Sequence, residues 1–246
     1  MSSVIVKLNR YRQDIERFVG FFKRQLEVID SAQFAEKGNL YKKALLVNVI
    51  DALSKTVYPR KGNRDRFVSF IRHFGEWRDC ERISLPHLVR LLEKVPDTDF
   101  SELRKFALSR FAEWPDGEVI YLDKDPDYSE VYKLWPKDKE YTKPLENVQL
   151  DSLRYVHLLY SYRNSLIHEM RKPGYGMEFP NDDAPFYGSM LHDENKNTWE
   201  LAYPLKFFQA VCELTLASLR SYYSENGINP YDYYAFGTYW IEDLNR

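Results

Sequence analysis

The sequence predicts a mainly α-helical bundle, a single domain over residues 1–246, with a small β-hairpin insertion near residues 174–203. Most of the chain shows apolar residues three and four positions apart, the spacing of amphipathic helices. Gly and Pro stand where these periodic segments end. Only the segment near 174–203 has short alternating runs separated by polar turn sequences, as strands do. A chain of 246 residues is long enough to bury a substantial core.

Five helices are predicted in the first half of the chain. The first covers residues 4–30 and extends the bundle at its N-terminus. The others are expected at residues 40–58, 63–77, 84–95 and 99–114. Pro59 ends the second of these helices, and Asn63 is a candidate N-cap for the third. Ser84 opens the fourth, with Pro86 in the first turn, where proline is tolerated.

The second half is more varied. Residues 115–146 contain four prolines among acidic and aromatic residues, which predicts an irregular surface excursion. A helix follows at about 147–171, and Pro173-Gly174 ends it. Strands are then expected in "GYGMEF", "PFYGSML" and "TWELAY". The last long helix begins at "LKFF" and is closed by Asn226-Gly227.

Composition excludes several classes of protein. The net charge of -2 gives no overall electrostatic footprint for nucleic acid or a membrane. The two cysteines have no metal-ligand or disulfide spacing, so no metal is expected. The first residues carry charges too early for the apolar segment of a signal peptide, so no signal peptide is expected. No apolar run is long enough to span a bilayer, and together these observations predict a cytoplasmic protein without a membrane partner.

One segment is locally basic. Seven Lys or Arg residues stand between residues 60 and 82 against four acids. The residues that could grip RNA phosphates are Arg60, Lys61, Arg64 and Arg66. A charge run of this kind is more often the solvated face of an amphipathic helix. The 19 Tyr and 15 Phe leave a similar choice open, between base-stacking surfaces and an aromatic core.

The predicted helix at 147–171 carries an unusual polar pattern in "SYRNSLIHEM", residues 161–170. Four polar residues at helical spacing form one stripe: His157, Ser161, Asn164 and His168. Arg163 lies beside this stripe, roughly 140° around the helix from His168. The two side chains meet on one ligand only if the Arg wraps around the helix, if the helix is locally broken, or if a second copy supplies the partner group. Geometry alone favours a solvated face or a satisfied hydrogen-bond network.

The sequence "YRNSLIHEM" resembles the signature of the HEPN superfamily, the higher eukaryotes and prokaryotes nucleotide-binding domain. Arg163 matches the Arg of that signature, Asn164 the polar residue after it, and His168 the His. Asp51 and Lys55 in "DALSK" are similar to an acid and a Lys on an earlier HEPN helix. The resemblance implies a metal-independent endoribonuclease without a cofactor, acting on RNA as a homodimer with a composite active site. It also implies a toxin or antiviral defence setting, with an antitoxin or other regulator as partner. Some HEPN toxins carry a Tyr where this chain has Met170, which departs from that mode of control.

Residue chemistry gives each candidate a role. His168 is the expected general base or acid, since an imidazole exchanges protons near neutral pH. Arg163 matches phosphate oxygens and stays charged, so it would stabilise the transition state. Asn164 would orient the imidazole or bind the scissile phosphate, and His157 and Ser161 would support the site. The expected products are a 2′,3′-cyclic phosphate and a 5′-hydroxyl. Two alternatives stay open: a non-catalytic HEPN-like module for RNA binding, nucleotide binding or dimerisation, and a plain helical interaction protein.

Overall fold

The structure is a computed structural model that describes residues 2–95, 98–115, 117–138, 141–191, 197–235 and 237. The helices in this part of the chain are α1 (Ser2–Ser31), α2 (Gly38–Val57), α3 (Asn63–Phe74), α4 (Leu85–Lys94), α5 (Ser101–Phe111), α6 (Tyr128–Leu134), α7 (Tyr155–Glu169) and α8 (Leu205–Asn226). The strands are β1 (Val119–Tyr121), β2 (Lys137–Asp138), β3 (Tyr141–Thr142), β4 (Phe186–Leu191) and β5 (Asn197–Ala202). The prediction of a mainly α fold with a small β insertion is therefore confirmed. No helix of the described residues is long and apolar enough to cross a membrane.

The chain forms two compact units, with one boundary between Glu76 and Trp77 and the other inside α8, between Phe208 and Gln209. The first unit comprises residues 1–76 and 209–246. Its core is helical, and aromatic rings supply much of it. Phe18 is fully buried, with its ring centroid 5.9 Å from that of Tyr223 in an edge-to-face arrangement. Such pairs stabilise a core beyond their burial alone.

The second unit, residues 77–208, combines α4 to α7 with both sheets. The three-stranded antiparallel sheet has the order β1-β4-β5, with Ile120 opposite Tyr187 and Tyr187 opposite Leu201. The inner face of this sheet packs Ile120, Tyr187 and Trp199 into one cluster with Tyr155, the first residue of α7. The sheet therefore holds the N-terminal end of α7.

One prediction in the β region was wrong. "GYGMEF", residues 174–179, is not a strand, because side chains take its backbone hydrogen bonds. The Tyr175 N–H donates to Glu200 Oε2 at 3.3 Å, and the Phe179 N–H donates to Asp182 Oδ2 at 2.5 Å. The third strand of the sheet is instead β1, which comes from the excursion at 115–146. The predicted turn "DENKN" lies mainly outside the described residues.

The excursion is more regular than predicted. It contains β1, the two-stranded β2–β3 ladder and α6. A capping box starts α6: the Asp127 side chain accepts from the third helical residue, and the Asp127 N–H donates to Glu130 Oε2 at 2.9 Å. Smaller differences concern helix starts. Gly62, not Asn63, is the N-cap of α3, and a 3₁₀ turn at Leu150–Leu153 precedes α7.

Candidate functional site

The candidate site lies on the side of α7 that is opposite to the buried residues of this helix. The buried residues include Leu159, Tyr162 and Leu166, which recur at helical spacing. The Tyr162 ring packs 5.1 Å from Tyr203 and 5.8 Å from Phe208, between ring centroids. The predicted polar stripe is two positions out of phase with these residues, roughly 200° around the helix. In keeping with this, Ser161 and His168 are exposed and His157 and Asn164 are half-buried.

Arg163 joins the site from beside the stripe. One guanidinium nitrogen, Nη1, donates to Asn164 Oδ1 at 3.0 Å and lies 3.3 Å from His168 Nε2. The guanidinium carbon is also 5.9 Å from the centroid of the Tyr160 ring, within range of a cation–π contact. Because Arg cannot accept a hydrogen bond, His168 Nε2 is the acceptor in this arrangement. The three motif side chains therefore form one cluster on one chain.

This geometry explains how Arg163 and His168 come together although they are offset by roughly 140° around the helix. The long Arg163 side chain wraps around the helix and reaches His168 within a single α7. A second copy is thus not needed to bring these two groups together. The contact of Asn164 also differs from the expected one, because its carbonyl oxygen holds Arg163 rather than the imidazole. Asn164 is accordingly a positioning residue for the guanidinium.

Tyr160 is a site residue that the sequence analysis did not single out. Its ring is half-buried and stands three residues before Arg163, so the two side chains are neighbours on the helix. The i, i+3 spacing of an aromatic and an Arg was the signal for it. Beyond His168, Met170 adopts a left-handed conformation and its N–H closes the helix on the Ser165 carbonyl. His168 thus lies in the last turn, beside a chain reversal.

The remaining predicted residues lie elsewhere or make structural contacts. The Ser161 hydroxyl donates to the His157 carbonyl at 3.2 Å, within the helix backbone. Asp51 and Lys55 stand four residues apart on α2, in the first unit, whereas α7 belongs to the second. The basic group also belongs to the first unit, with two residues in the α2–α3 loop and two in the first turn of α3. These residues are Arg60, Lys61, Arg64 and Arg66.

A second polar cluster, which the sequence did not predict, lies at the other end of α7. Tyr155 Oη is 2.5 Å from Asp125 Oδ2 and 2.9 Å from Tyr187 Oη. The Ser84 hydroxyl continues this chain, 2.5 Å from Tyr187 Oη and 2.6 Å from His87 Nδ1. Asp125 also accepts from the Leu85 N–H at 2.7 Å. We call these five side chains, from Asp125 through Tyr155, Tyr187 and Ser84 to His87, the buried polar chain.

Burial shifts the proton affinities at both ends of the buried polar chain. Desolvation raises the pKa of Asp125 to about 7, although the hydrogen bonds from Tyr155 and Leu85 and the charge of Arg82 act in the opposite direction. Desolvation and the nearby charge of Arg90 lower the pKa of His87 to about 4, while Glu200 acts in the opposite direction. At neutral pH His87 is therefore uncharged and Asp125 is only partly ionised. Ser84, Tyr155 and Tyr187 are fully buried, so this cluster cannot receive a large substrate.

No group of three or more His, Cys, Asp or Glu side chains in the described part of the chain could hold a metal ion. The chain matches no protein-family model, no curated protein sequence and no solved structure. The cluster on α7 therefore has to be interpreted from its own chemistry.

Proposed function

We propose that this protein is a cytoplasmic, metal-independent endoribonuclease that cleaves RNA by attack of the 2′-hydroxyl on the adjacent phosphate. The observation that carries the proposal is the contact of Arg163 with His168, held by Asn164 on an exposed helix face. A fixed cation and an imidazole side by side provide the two functions that this reaction needs, phosphate binding and proton transfer. The resemblance of "YRNSLIHEM" to the HEPN signature supports the same assignment, and with it a homodimer, a defence or toxin setting, and a regulatory partner.

The proposed reaction follows from these contacts. A scissile phosphate binds the Arg163 guanidinium and replaces its long 3.3 Å contact with His168, which leaves Nε2 free to accept a proton. His168 removes the proton of the 2′-hydroxyl, and the 2′-oxygen forms a bond to phosphorus. The bond from phosphorus to the 5′-oxygen breaks, and solvent water protonates the leaving oxygen. His168 is exposed and so returns its proton to solvent. The products are a 2′,3′-cyclic phosphate and a 5′-hydroxyl.

The test is cleavage of end-labelled RNA by the full chain in excess EDTA, with mass spectrometry of the new ends. We expect His168→Ala and Arg163→Ala to lower the cleavage rate by about 10²–10⁴-fold, the usual contribution of a proton-transfer group or an oxyanion partner. Lys105→Ala removes an exposed cation on α5 and is the matched control, with an unchanged rate. Loss of cleavage in EDTA, or full activity in His168→Ala, would contradict the proposal. RNA binding without cleavage would instead support the non-catalytic alternative.

Asn164 has a test of its own because it acts through Arg163. Asn164→Leu removes the acceptor and should lower the rate about tenfold, while Asn164→Asp keeps an acceptor for Nη1 and should restore it. If Asn164 had a purely structural role, both variants would cleave RNA equally slowly. Light scattering of the wild type measures whether the active species is a dimer.

A further inference from the structure

The first unit contains a pocket that is separate from the α7 cluster. It has a volume of about 370 Å³ and lies between the end of α2, the α2–α3 loop and the end of α8 with the chain that follows. Four tyrosines line it, together with two cations from the loop. These residues are Tyr58, Tyr222, Tyr223, Tyr233, Arg60 and Lys61. No carboxylate is present among the described residues that line this pocket.

The aromatic part of the pocket is preformed. Tyr223 is fully buried and its hydroxyl is 2.5 Å from the Thr56 hydroxyl, which holds this ring in place. The Tyr58 hydroxyl is 2.6 Å from His73 Nδ1. Tyr222 is half-buried against Phe74, with ring centroids 5.4 Å apart. Tyr233, by contrast, is 54 % exposed and stands at the rim. The pocket thus offers fixed ring surfaces and one ring that is accessible to a ligand.

The charged part of the pocket is also held in place. Lys61 Nζ donates to Ser69 Oγ at 2.8 Å and lies 4.4 Å from the centroid of the Tyr58 ring. These contacts restrict a side chain that would otherwise be mobile, which lowers the cost of binding an anion. Arg60 is exposed beside it and adds a planar donor group suited to phosphate. Two cations without a lining carboxylate favour an anionic ligand.

We propose that this pocket binds a nucleotide, with the base against the tyrosine rings and the phosphate at Arg60 and Lys61. Its volume is within the range of about 300–1,000 Å³ typical of small-molecule sites. Base–aromatic stacking and phosphate–cation contacts are the two chemistries that single-stranded nucleic acid sites combine. A free nucleotide and one nucleotide unit of an RNA strand share this chemistry. The inference stands apart from the proposed ribonuclease activity, because the pocket contains no residue of the α7 cluster.

Calorimetric titration of the full chain tests the proposal with four ligands: uridine, uridine 5′-monophosphate, ribose 5-phosphate and a 2′-O-methyl uridine octamer. The octamer has no free 2′-hydroxyl and therefore cannot be cut by the proposed mechanism. We expect the monophosphate to bind at least about tenfold more tightly than uridine or ribose 5-phosphate, since each of those lacks one of the two contacts. Similar affinities for the monophosphate and the octamer would identify a free nucleotide as the ligand of the pocket. If the octamer binds at least about tenfold more tightly than the monophosphate, the ligand is an RNA strand.

The variants separate the pocket from general charge. Arg60→Ala combined with Lys61→Ala should lower the affinity for the monophosphate or the octamer at least about tenfold and leave the affinity for uridine nearly unchanged. Lys105→Ala combined with Lys133→Ala removes the same charge from exposed positions on α5 and α6 and is the matched control. Tyr233→Ala should lower the affinity for uridine and for the monophosphate alike. Tyr233→Phe keeps the ring and should lower neither. Absence of binding by the wild type at millimolar ligand, or equal losses in the two double variants, would overturn the proposal. The His168→Ala variant should bind the monophosphate as the wild type does. A failure of the proposed ribonuclease activity would therefore not count against nucleotide binding in the pocket.

Discussion

The two ends of α7 hold polar side chains in opposite ways. At the N-terminal end, Tyr155 is fully buried and its hydroxyl lies within 2.9 Å of two partners, Asp125 and Tyr187. At the C-terminal end, His168 is exposed and its contact with Arg163 is 3.3 Å long. Buried polar groups need partners to avoid a desolvation penalty, whereas exposed groups can exchange theirs for water or a ligand. One end of the helix is therefore built for stability, and the other keeps its groups available.

The buried polar chain has a further property, because each hydroxyl in it has a single proton to donate. When Asp125 is protonated, it donates to Tyr155, and the donors then run through Tyr187 and Ser84 to Nδ1 of neutral His87. When Asp125 is ionised, Tyr155 donates to it instead, and Tyr187 no longer receives that proton. The direction of the hydrogen bonds thus depends on the protonation of Asp125.

The largest expected effect is a difference in stability between the two ends. Tyr155→Phe removes one buried hydroxyl, so Asp125 keeps only the Leu85 N–H and Tyr187 keeps only Ser84 from the contacts described above. We expect the free energy of unfolding to fall by about 2 kcal/mol. His168→Ala alters an exposed residue and should change that free energy by less than about 0.5 kcal/mol. Urea unfolding followed by circular dichroism measures both. Equal losses in the two variants would remove the distinction between the two ends.

The second prediction concerns pH, because the two ends of the buried polar chain act in opposite directions. The raised pKa of Asp125 means that the folded state holds a proton that the unfolded state releases, so this group lowers stability as pH rises from about 4 to about 7. The lowered pKa of His87 means that the unfolded state binds the extra proton, so this group raises stability between about pH 4 and about 6.5. Over pH 4.5–6.5, roughly the range where both act, the two contributions nearly cancel in the wild type.

Single variants should expose each contribution. Asp125→Asn leaves the His87 contribution, so its stability relative to wild type should rise with pH by up to about 1.4 kcal/mol per unit. His87→Gln leaves the Asp125 contribution, so its relative stability should fall with pH by a similar amount. Taking the difference between each variant and the wild type cancels the contributions of the charged neighbours that all three proteins share, which are Arg82, Asp79, Arg90 and Glu200. Parallel pH profiles for the wild type and both variants would refute this account.

The same contrast explains which parts of the molecule could be predicted from its sequence. The helix α8 was predicted with the correct ends, because the regular spacing of its apolar residues and the Asn226-Gly227 pair specify them. The polar stripe of α7 was also predicted, since all its members lie on one helix. The contact between Arg163 and His168 was one of three alternatives, because the path of a long side chain does not follow from helical spacing alone.

The buried polar chain could not be predicted in this way. Ser84, Asp125, Tyr155 and Tyr187 are far apart in the sequence, and β1 and β4 bring them together only in the folded unit. The capping box of α6 was different: Asp127 and Glu130 were a local signal, but the density of prolines around them favoured an irregular segment. Long-range hydrogen bonds were thus the main information that local patterns lacked.

The smallest expected effect tests how firmly the chain beyond the exposed end of α7 is anchored. Glu200 is largely buried on β5 and accepts from the Tyr175 N–H, from Thr198 Oγ1 at 3.0 Å and from Arg90 Nη2 at 2.9 Å. Desolvation raises its pKa, but the hydrogen bonds from Arg90 and Tyr175 more than offset this, so the pKa is lowered overall and the carboxylate is ionised at neutral pH.

A double-mutant cycle of Glu200→Gln and Arg90→Gln should give a coupling of about 0.5–1 kcal/mol, because Arg90 is half-exposed and water screens the pair. Hydrogen exchange at the Tyr175 amide should quicken in Glu200→Gln and change less in Arg90→Gln, since only the first variant alters the acceptor of that amide. Exchange that is unchanged in Glu200→Gln would mean that residues 174–176 are held by other contacts. The anchor would then be assigned to the Lys172 side chain, which donates to the Gly176 carbonyl in the same segment.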